Sequence, residues 1–547
     1  MAVRRHPIGP AAWAIVAAAL VPSPAPAQYP DAYTVPAGAL RLSFEPEFNA
    51  WDMRFGPDGE DEPLGLDLSP DVTGPNFFVT LLAPQLAVRS IIGDPNYQIN
   101  MGAVRTGLDA DIRRFPFNFA LGITNHITLT ASIPVVTTRA QVALTLDTTD
   151  ANVGWNQAAG ASGNTAGFAA VEMLLGELEA AAGALDAQIA AGDFGCPTST
   201  MCDQARDLVT RTRSFRMDLV ALTGVGQPQG SPLPPFAPTQ TSTAGLELAA
   251  AIQALAAELA TFGATVTGAL PLPEQQLAVE DINTVLTQSE FAYDALPLAF
   301  AKLRNSIGDL EVGLRLGLLQ FSAVRAVLSG TLRLPTGRID DPSHVVDIGS
   351  GDHQMDVVGG FELALEPGSA VGISMFGRYT LQMPHTLSRR VAPPDRPIAL
   401  SAFQVPVRRD LGDVVEAGVY PTVQLSRAFR AYLSVYYRRK FEDSYTLPSG
   451  VILPTSAPGA VPVEALAQES AMEAISLGGG VYYRSVTDRR GLTLPIEAGI
   501  DYRTAWDGSG GLTPKPTRVN FYLRLYYRLW GRRVGAQTGE ATSPGTN

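Results

Sequence analysis

Histidine and cysteine are scarce, five and two in 547 residues, so there is little from which to build a metal centre or a histidine-based catalytic site. Positive charge is in deficit: the net charge is −13, which argues against nucleic acid as a partner. Beyond the N-terminal region no segment holds 18 or more apolar residues in a row, which excludes a bundle of membrane-spanning helices. Charged residues make up only 17% of the chain.

What is present begins with an export signal. Arg4 and Arg5 form a positive n-region, Ala11–Val21 a short apolar stretch, and Ala25-Pro26-Ala27 an A-x-A cleavage site. Pro22, Pro24 and Pro26 end the apolar run too early for a membrane anchor.

The dominant pattern is alternation with period 2. In Phe115–Val136, Phe115, Phe117, Phe119, Leu121 and Ile123 share one parity, against Pro116, Asn118, Ala120 and Gly122. After a tight turn at Thr124–His126 the alternation resumes, with Ile127, Leu129, Ala131 and Ile133 against Thr128, Thr130 and Ser132. Side chains on a strand alternate between faces, so each arm has one apolar and one polar or small face. Similar stretches recur at Ala39–Trp51 and from Leu310 to Leu529, giving about 12 strands. Bacterial membrane barrels have even strand numbers.

The connections between these strands alternate between tight and long. Tight ones lie at Thr124–His126, Leu319–Ser322, Glu366–Ser369, Ser426–Ala428 and Thr487–Gly491. Long ones span roughly Phe55–Arg105, Asp147–Arg304, Pro335–Gly351, Pro384–Asp410, Glu442–Glu469 and Trp506–Thr517. Sorting of this kind is expected of an outer-membrane barrel, with short periplasmic turns and long outer loops, and a soluble sandwich has no reason for it. Tyr436-Tyr437, Tyr482-Tyr483, Tyr526-Tyr527 and Trp530 near strand ends fit an interfacial girdle.

Thr165–Leu296 departs from this pattern and is alanine-rich. Apolar residues step by three and four along four segments, from Phe168 to Ile189, Leu208 to Leu222, Leu248 to Val266 and Val279 to Leu296. These seams predict two antiparallel helical hairpins that pack mainly on each other as an autonomous, water-exposed module. Glu172, Glu177, Glu179, Glu247 and Glu258 fall on the outer faces. Cys196 and Cys202, at the tip of the first hairpin, read as a disulfide staple in an exported protein.

The expected organisation is a signal peptide over 1–27, the first part of the barrel over 28–147 and a helical insertion in an outer loop over 148–304. The second part of the barrel follows over 305–530, and a polar tail over 531–547. The fold class is an all-β transmembrane antiparallel barrel with an inserted α-helical domain.

Candidate chemistry is confined to the lumen and one loop. His344, Asp347, Asp352 and His353 share a loop with Asp340 and Asp341, but without the fixed spacing of a metal site, and none is expected. No histidine falls on a lipid-facing strand position, so no catalytic residue is assigned and no cofactor is implied. The inward parity carries both charge signs: Glu311, Arg315, Arg325, Arg333, Asp356, Glu362, Arg378, Glu416, Arg430, Arg438, Glu497, Asp501, Arg503, Arg524 and Arg528. Buried charges must pair or meet water, so these residues either line a selective pore or fill the lumen with salt bridges.

Leu121-Gly122-Ile123-Thr124 turning into Ile127-Thr128-Leu129 and Ile133-Pro134-Val135, with Gly308-Asp309-Leu310, Leu334-Pro335-Thr336-Gly337, Gly349-Ser350-Gly351 and Asp356, resembles a family of outer-membrane transporters. That family is named for the meta-pathway of phenol degradation, and the resemblance covers the barrel strands only. It implies passage of hydrophobic or aromatic compounds and defines no functional residue. The reading is therefore an outer-membrane channel for small solutes, embedded in outer-membrane lipid and delivered by the barrel-assembly machinery. The alternative is a plugged barrel that displays its helices to a protein partner.

Overall fold

The computed structural model describes residues 32–159, 165–299, 301–368, 370–392, 398–455, 457–485 and 496–530. The signal peptide and polar tail lie outside them.

Among the described residues, twelve strands close into an antiparallel barrel in which each strand pairs with its neighbours in sequence. They are β1 (Ala39–Phe44 and Glu47–Trp51), β2 (Ala103–Gly122), β3 (Ile127–Asp147), β4 (Ala301–Ile307 and Leu310–Gln320), β5 (Val324–Leu334) and β6 (Asp356–Leu365). Then come β7 (Val371–Gln382), β8 (Val414–Gln424), β9 (Phe429–Lys440), β10 (Met472–Arg484), β11 (Ile496–Ser509) and β12 (Thr517–Arg528). β1 closes the ring by pairing with both β2 and β12. The break in β1 falls at Pro46, which has no N–H to give the ladder.

The exterior of the ring is apolar and the interior polar. Leu314 on the outside is 55% exposed, while Asp356, inside, is fully buried. Phe117, Leu129, Ile133, Val357, Phe361, Leu381, Leu433, Ile500 and Phe521 share the exposed face. Apolar residues facing outward all round a closed barrel match lipid as the surrounding solvent. The alternation of connections holds from β1 to β10, and the tight turn expected at Thr487–Gly491, between Arg484 and Ile496, lies outside the described residues. β11 runs on to Ser509, so its link to β12 shrinks to 510–516.

β2 and β3 are much longer than the bilayer requires, at 20 and 21 residues. Their upper halves leave the apolar band and stand in a cap built on the long-loop end. Five helices belong to the cap: α1 (Leu82–Ile92), α2 (Thr165–Ala190), α3 (Thr200–Thr223), α4 (Thr243–Thr261) and α5 (Val279–Thr287). α2 and α3 form the predicted first hairpin, and Cys196 and Cys202 are bonded at its tip. The Ser199 hydroxyl caps α3 by accepting from the Cys202 N–H at 3.0 Å, and Ser242 caps α4 from Gly245 at 3.1 Å. α4 is apolar and long enough to cross a membrane by composition, but Leu248, Ile252, Leu255 and Leu259 are buried in the cap.

Two features differ from the sequence reading. α5 ends at Thr287 and is followed by a 3-10 turn at Ser289–Phe291, so the fourth seam does not continue as helix to Leu296. α1 lies in the first long loop, where no helix was predicted, and packs against α3 and α4. The insertion therefore does not pack on itself alone. Phe78 from the first loop sits 5.3 Å from the Tyr293 ring and 6.2 Å from Phe236, and Tyr293 contacts the Thr80 hydroxyl at 3.2 Å. Leu296 N–H donates to Ser343 O at 2.7 Å, and Arg390 donates to Asp294 O at 2.7 Å. One apolar core spans the helices and four loops, because a helix pair with wide apolar faces buries more area against loops than alone.

Candidate functional site: the barrel lumen

The inward parity brings the predicted charges together as ion pairs between strands of the lumen wall. Arg315 on β4 meets Glu362 on β6 at 2.7 Å. Arg333 on β5 meets Asp356 at 2.6 Å and Glu311 at 3.2 Å. Glu416 on β8 is approached by Arg378 at 3.7 Å and Arg438 at 4.0 Å, and accepts from the Tyr436 hydroxyl. Arg430 shares Glu366 with Arg325, each at 2.9 Å. Glu497 takes Arg484 at 2.7 Å and Arg524 at 3.5 Å, and Arg524 also reaches Glu45 at 3.3 Å.

Asp501 and Arg503 are instead held in an aromatic cluster. Asp501 accepts from Asn520 at 2.7 Å and Tyr432 at 3.2 Å. Arg503 donates to the Tyr420 hydroxyl at 3.2 Å and lies 4.7 Å over the Tyr436 ring. Arg528 departs from the list. It is exposed at the end of β12 and takes no place in these pairs, because its strand position lies past the lumen wall.

Sequence reasoning left out several members. Arg41, Ser43, Glu45, Glu47 and Asn49 all face inward along β1, and their odd parity is the signal that would have found them. Glu366 was placed in a turn, yet its carboxylate reaches back to Arg325 and Arg430. The paired tyrosines also need correcting. Adjacent strand residues point to opposite faces, so a Tyr-Tyr pair cannot sit in the girdle as a pair. Tyr436 is buried in the lumen, and Tyr482 packs there against Tyr432 at 6.2 Å. Tyr527 stays outside.

The salt bridges do not fill the interior. A cavity of about 130 Å³ remains at mid-barrel, lined by Arg41, Arg315, Arg333, Arg378, Glu311, Glu362 and Glu416. Ser43, Asn118, Thr130, Ser132, Ser329, Thr331 and Thr380 add hydroxyls and an amide to its wall, and Phe119, Ala120, Ala131 and Val358 complete it. Below it, the segment before β1 enters the short-turn end of the lumen. Val35 N–H donates to the Thr128 hydroxyl at 2.8 Å, and the Thr34 hydroxyl to Asn125 O at 2.6 Å. Tyr33 lies under two guanidinium groups, Arg325 at 4.1 Å and Arg484 at 5.1 Å from its ring. These cation–π contacts, together with a side-chain hydrogen bond between Arg484 and Tyr33, hold the ring in place.

The loop acids considered for a cation are engaged elsewhere. Asp340 pairs with Arg389, and Asp347 takes Arg338 in a forked contact at 2.7 and 3.0 Å. Among the described residues no group of three His, Cys, Asp or Glu side chains is arranged to hold a metal ion.

No family model and no curated protein matches the chain. Solved structures similar to it include an outer membrane channel from Pseudomonas putida F1, at 8% identity and a TM-score of 0.39, covering 91% of this chain and 98% of that one. The Ralstonia pickettii toluene transporter TbuX follows at 8% identity and 0.26, with 91% and 90% covered. A Pseudomonas aeruginosa FadL homologue stands at 8% and 0.25, with 90% of each chain covered. Likeness at this level carries no functional argument, and the resemblance to the phenol-degradation family finds no matching family model.

Proposed function

We propose that the protein is an outer-membrane channel for small solutes, aromatic compounds among them, with its short turns in the periplasm and its cap outside. The observation that carries this reading is the mid-lumen cavity. Its volume of about 130 Å³ is close to the roughly 150 Å³ that accommodates a benzene-sized molecule. The lining favours a ring with polar substituents over a plain hydrocarbon. Guanidinium groups stack on aromatic faces and donate to hydroxyl or carboxylate oxygens, while an unsubstituted hydrocarbon offers this polar wall no hydrogen-bond partner. The segment around Tyr33 acts as the lower constriction and the cap as the upper one.

Single-channel recording in planar bilayers tests this. The wild type should give a small conductance, and removal of residues 32–36 should raise it several-fold while the barrel stays heat-modifiable on gels. Silence in both proteins would favour the alternative, a closed barrel that displays its cap to a partner.

A further inference from the structure

The polarity of β2, β3 and β4 reverses at one height, and that height marks the upper edge of the apolar band. Below it the outward residues are Phe115 and Phe117 on β2, Ile133 and Val135 on β3 and Ile307 on β4. Phe115 pairs with Val135, and Val135 with Ile307, so these residues form one row across three strands. One outward step higher comes Arg113, and at the next the row Asp111, Arg139, Lys302.

We infer that this row is a binding site for the phosphate of a lipid headgroup in the outer leaflet. The inference rests on the membrane placement proposed above. Two residues along a strand rise roughly 7 Å, or about 5 Å once tilt is allowed for. The three cations thus stand roughly 5–10 Å above the last apolar row. A headgroup layer is about 5–8 Å thick, and long basic side chains can bend toward it. Arg113 and Arg139 point outward with 51% and 38% of their side chains exposed, and Lys302 is exposed beside them.

Asp111, only 12% exposed, lies between the arginines. It meets Arg113 at 2.8 Å and Arg139 at 3.7 Å, fixing their guanidinium groups on the wall. Three cations against Asp111, with Asp109 one outward step higher on β2, leave the patch positive. Arginine's planar fork suits phosphate oxygens, and a phosphorylated glycolipid offers them at this depth with acyl chains beside Phe115, Ile133 and Ile307. Other sectors of the wall carry neutral anchors near strand ends, such as Tyr379 on β7 and Trp506 on β11. Arg439 on β9 is an exposed cation too, but it lies over the Phe441 ring.

The test uses the full-length protein in detergent, with diphosphorylated lipid A and the same glycolipid stripped of phosphate as probes. Native mass spectrometry should show the phosphorylated form bound at least tenfold more tightly, on the order of the gain expected for several basic residues near a charged surface. Replacing Arg113, Arg139 and Lys302 together by alanine should abolish that preference. Arg439→Ala should leave it intact, and Asp111→Asn should increase it. Equal binding of the two glycolipids, or an unchanged preference in the triple variant, would overturn the site. Displacement by an equal concentration of inorganic phosphate would also overturn it, since the row would then be an ion site. If the triple variant does not fold, Asp111→Asn and Arg139→Ala decide: the first should strengthen the preference and the second weaken it, and an unchanged preference in both would overturn the site. Loss of the heat-modifiable barrel in the wild type, by contrast, would count against the membrane reading itself.

Discussion

The lower and upper halves of β2 and β3 are the same two strands in two solvents. In the lower half of β3, Ile127, Leu129 and Ile133 point outward and Thr128, Thr130 and Ser132 point in. In the upper half the outward set becomes Arg139, Gln141, Thr145 and Asp147, while Val136, Ala140, Val142, Leu144 and Leu146 turn inward against the cap. β2 does the same, changing from Phe115, Phe117 and Phe119 outside to Arg105, Asp109 and Arg113 outside. The hydrogen-bonded ladder between them runs through this level without a shift in register. Strand geometry is thus indifferent to the change. The surrounding medium sets which parity is apolar, lipid below and water above.

The largest effect is expected where the upper half is packed most densely. Phe78 is fully buried in the cap, with Phe77, Phe236 and Tyr293 around it. Phe78→Ala should cost the cap about 3–5 kcal/mol through lost burial and the cavity left behind. The measurement is limited proteolysis of the loops alongside gel heat-modifiability of the barrel. The cap should become cleavable while the barrel survives. Loss of both together would mean that the two halves fold as a single cooperative unit.

A smaller effect separates the two solvents along one strand. Ile133→Arg places a cation in the lipid-facing row and should cost about 2–4 kcal/mol near the midplane, falling toward the edge, with a matching loss of assembled barrel. Gln141→Arg puts the same side chain on the same face of β3, eight residues further up by sequence number. It should stay within about 0.5 kcal/mol of the wild type. Assembly yields in vesicles compare them directly, and equal yields would erase the boundary drawn between the halves.

How much of this was legible in the sequence follows from the same contrast. Period-2 alternation and loop lengths are local properties, so all twelve strands and their inside–outside sense could be read. The lumen charges followed from parity. What parity could not supply was pairing. Nothing local links Arg430 to Glu366, or Arg524 to Glu45, which meet only because the barrel closes. The tyrosine pairs were misplaced because composition near a strand end was weighed above the alternation within it. In the insertion the helices were visible from their seams, but their partners were not. A heptad seam shows that a face must be buried without showing what buries it, and half of the answer lay in the first loop around Phe78 and α1.

The smallest effect concerns one such hidden partner. Glu177 was read as a solvated acid on the outer face of α2, yet its carboxylate clips the stretch that follows α4. It accepts from the backbone N–H groups of Thr267 at 2.6 Å and Gly268 at 2.8 Å, and from the Thr267 hydroxyl at 2.9 Å. The approach is close enough that a Cβ on Gly268 would stand 2.9 Å from Leu174 Cα. The Thr267 and Gly268 N–H bonds favour the charged form and hold the Glu177 carboxyl below its ordinary value. A depressed folded value means that the clip contributes fully above the ordinary glutamate range of about 4.3 and is lost as pH falls through the folded value. Amide exchange at Thr267 and Gly268, corrected for the intrinsic rate, should therefore be protected near neutrality and lose that protection in acid. In Glu177→Gln the protection should be weaker near neutrality and should no longer change with pH. Equal protection in both proteins at every pH would return Glu177 to the solvated face and leave Gly268 held by packing on Leu174 alone.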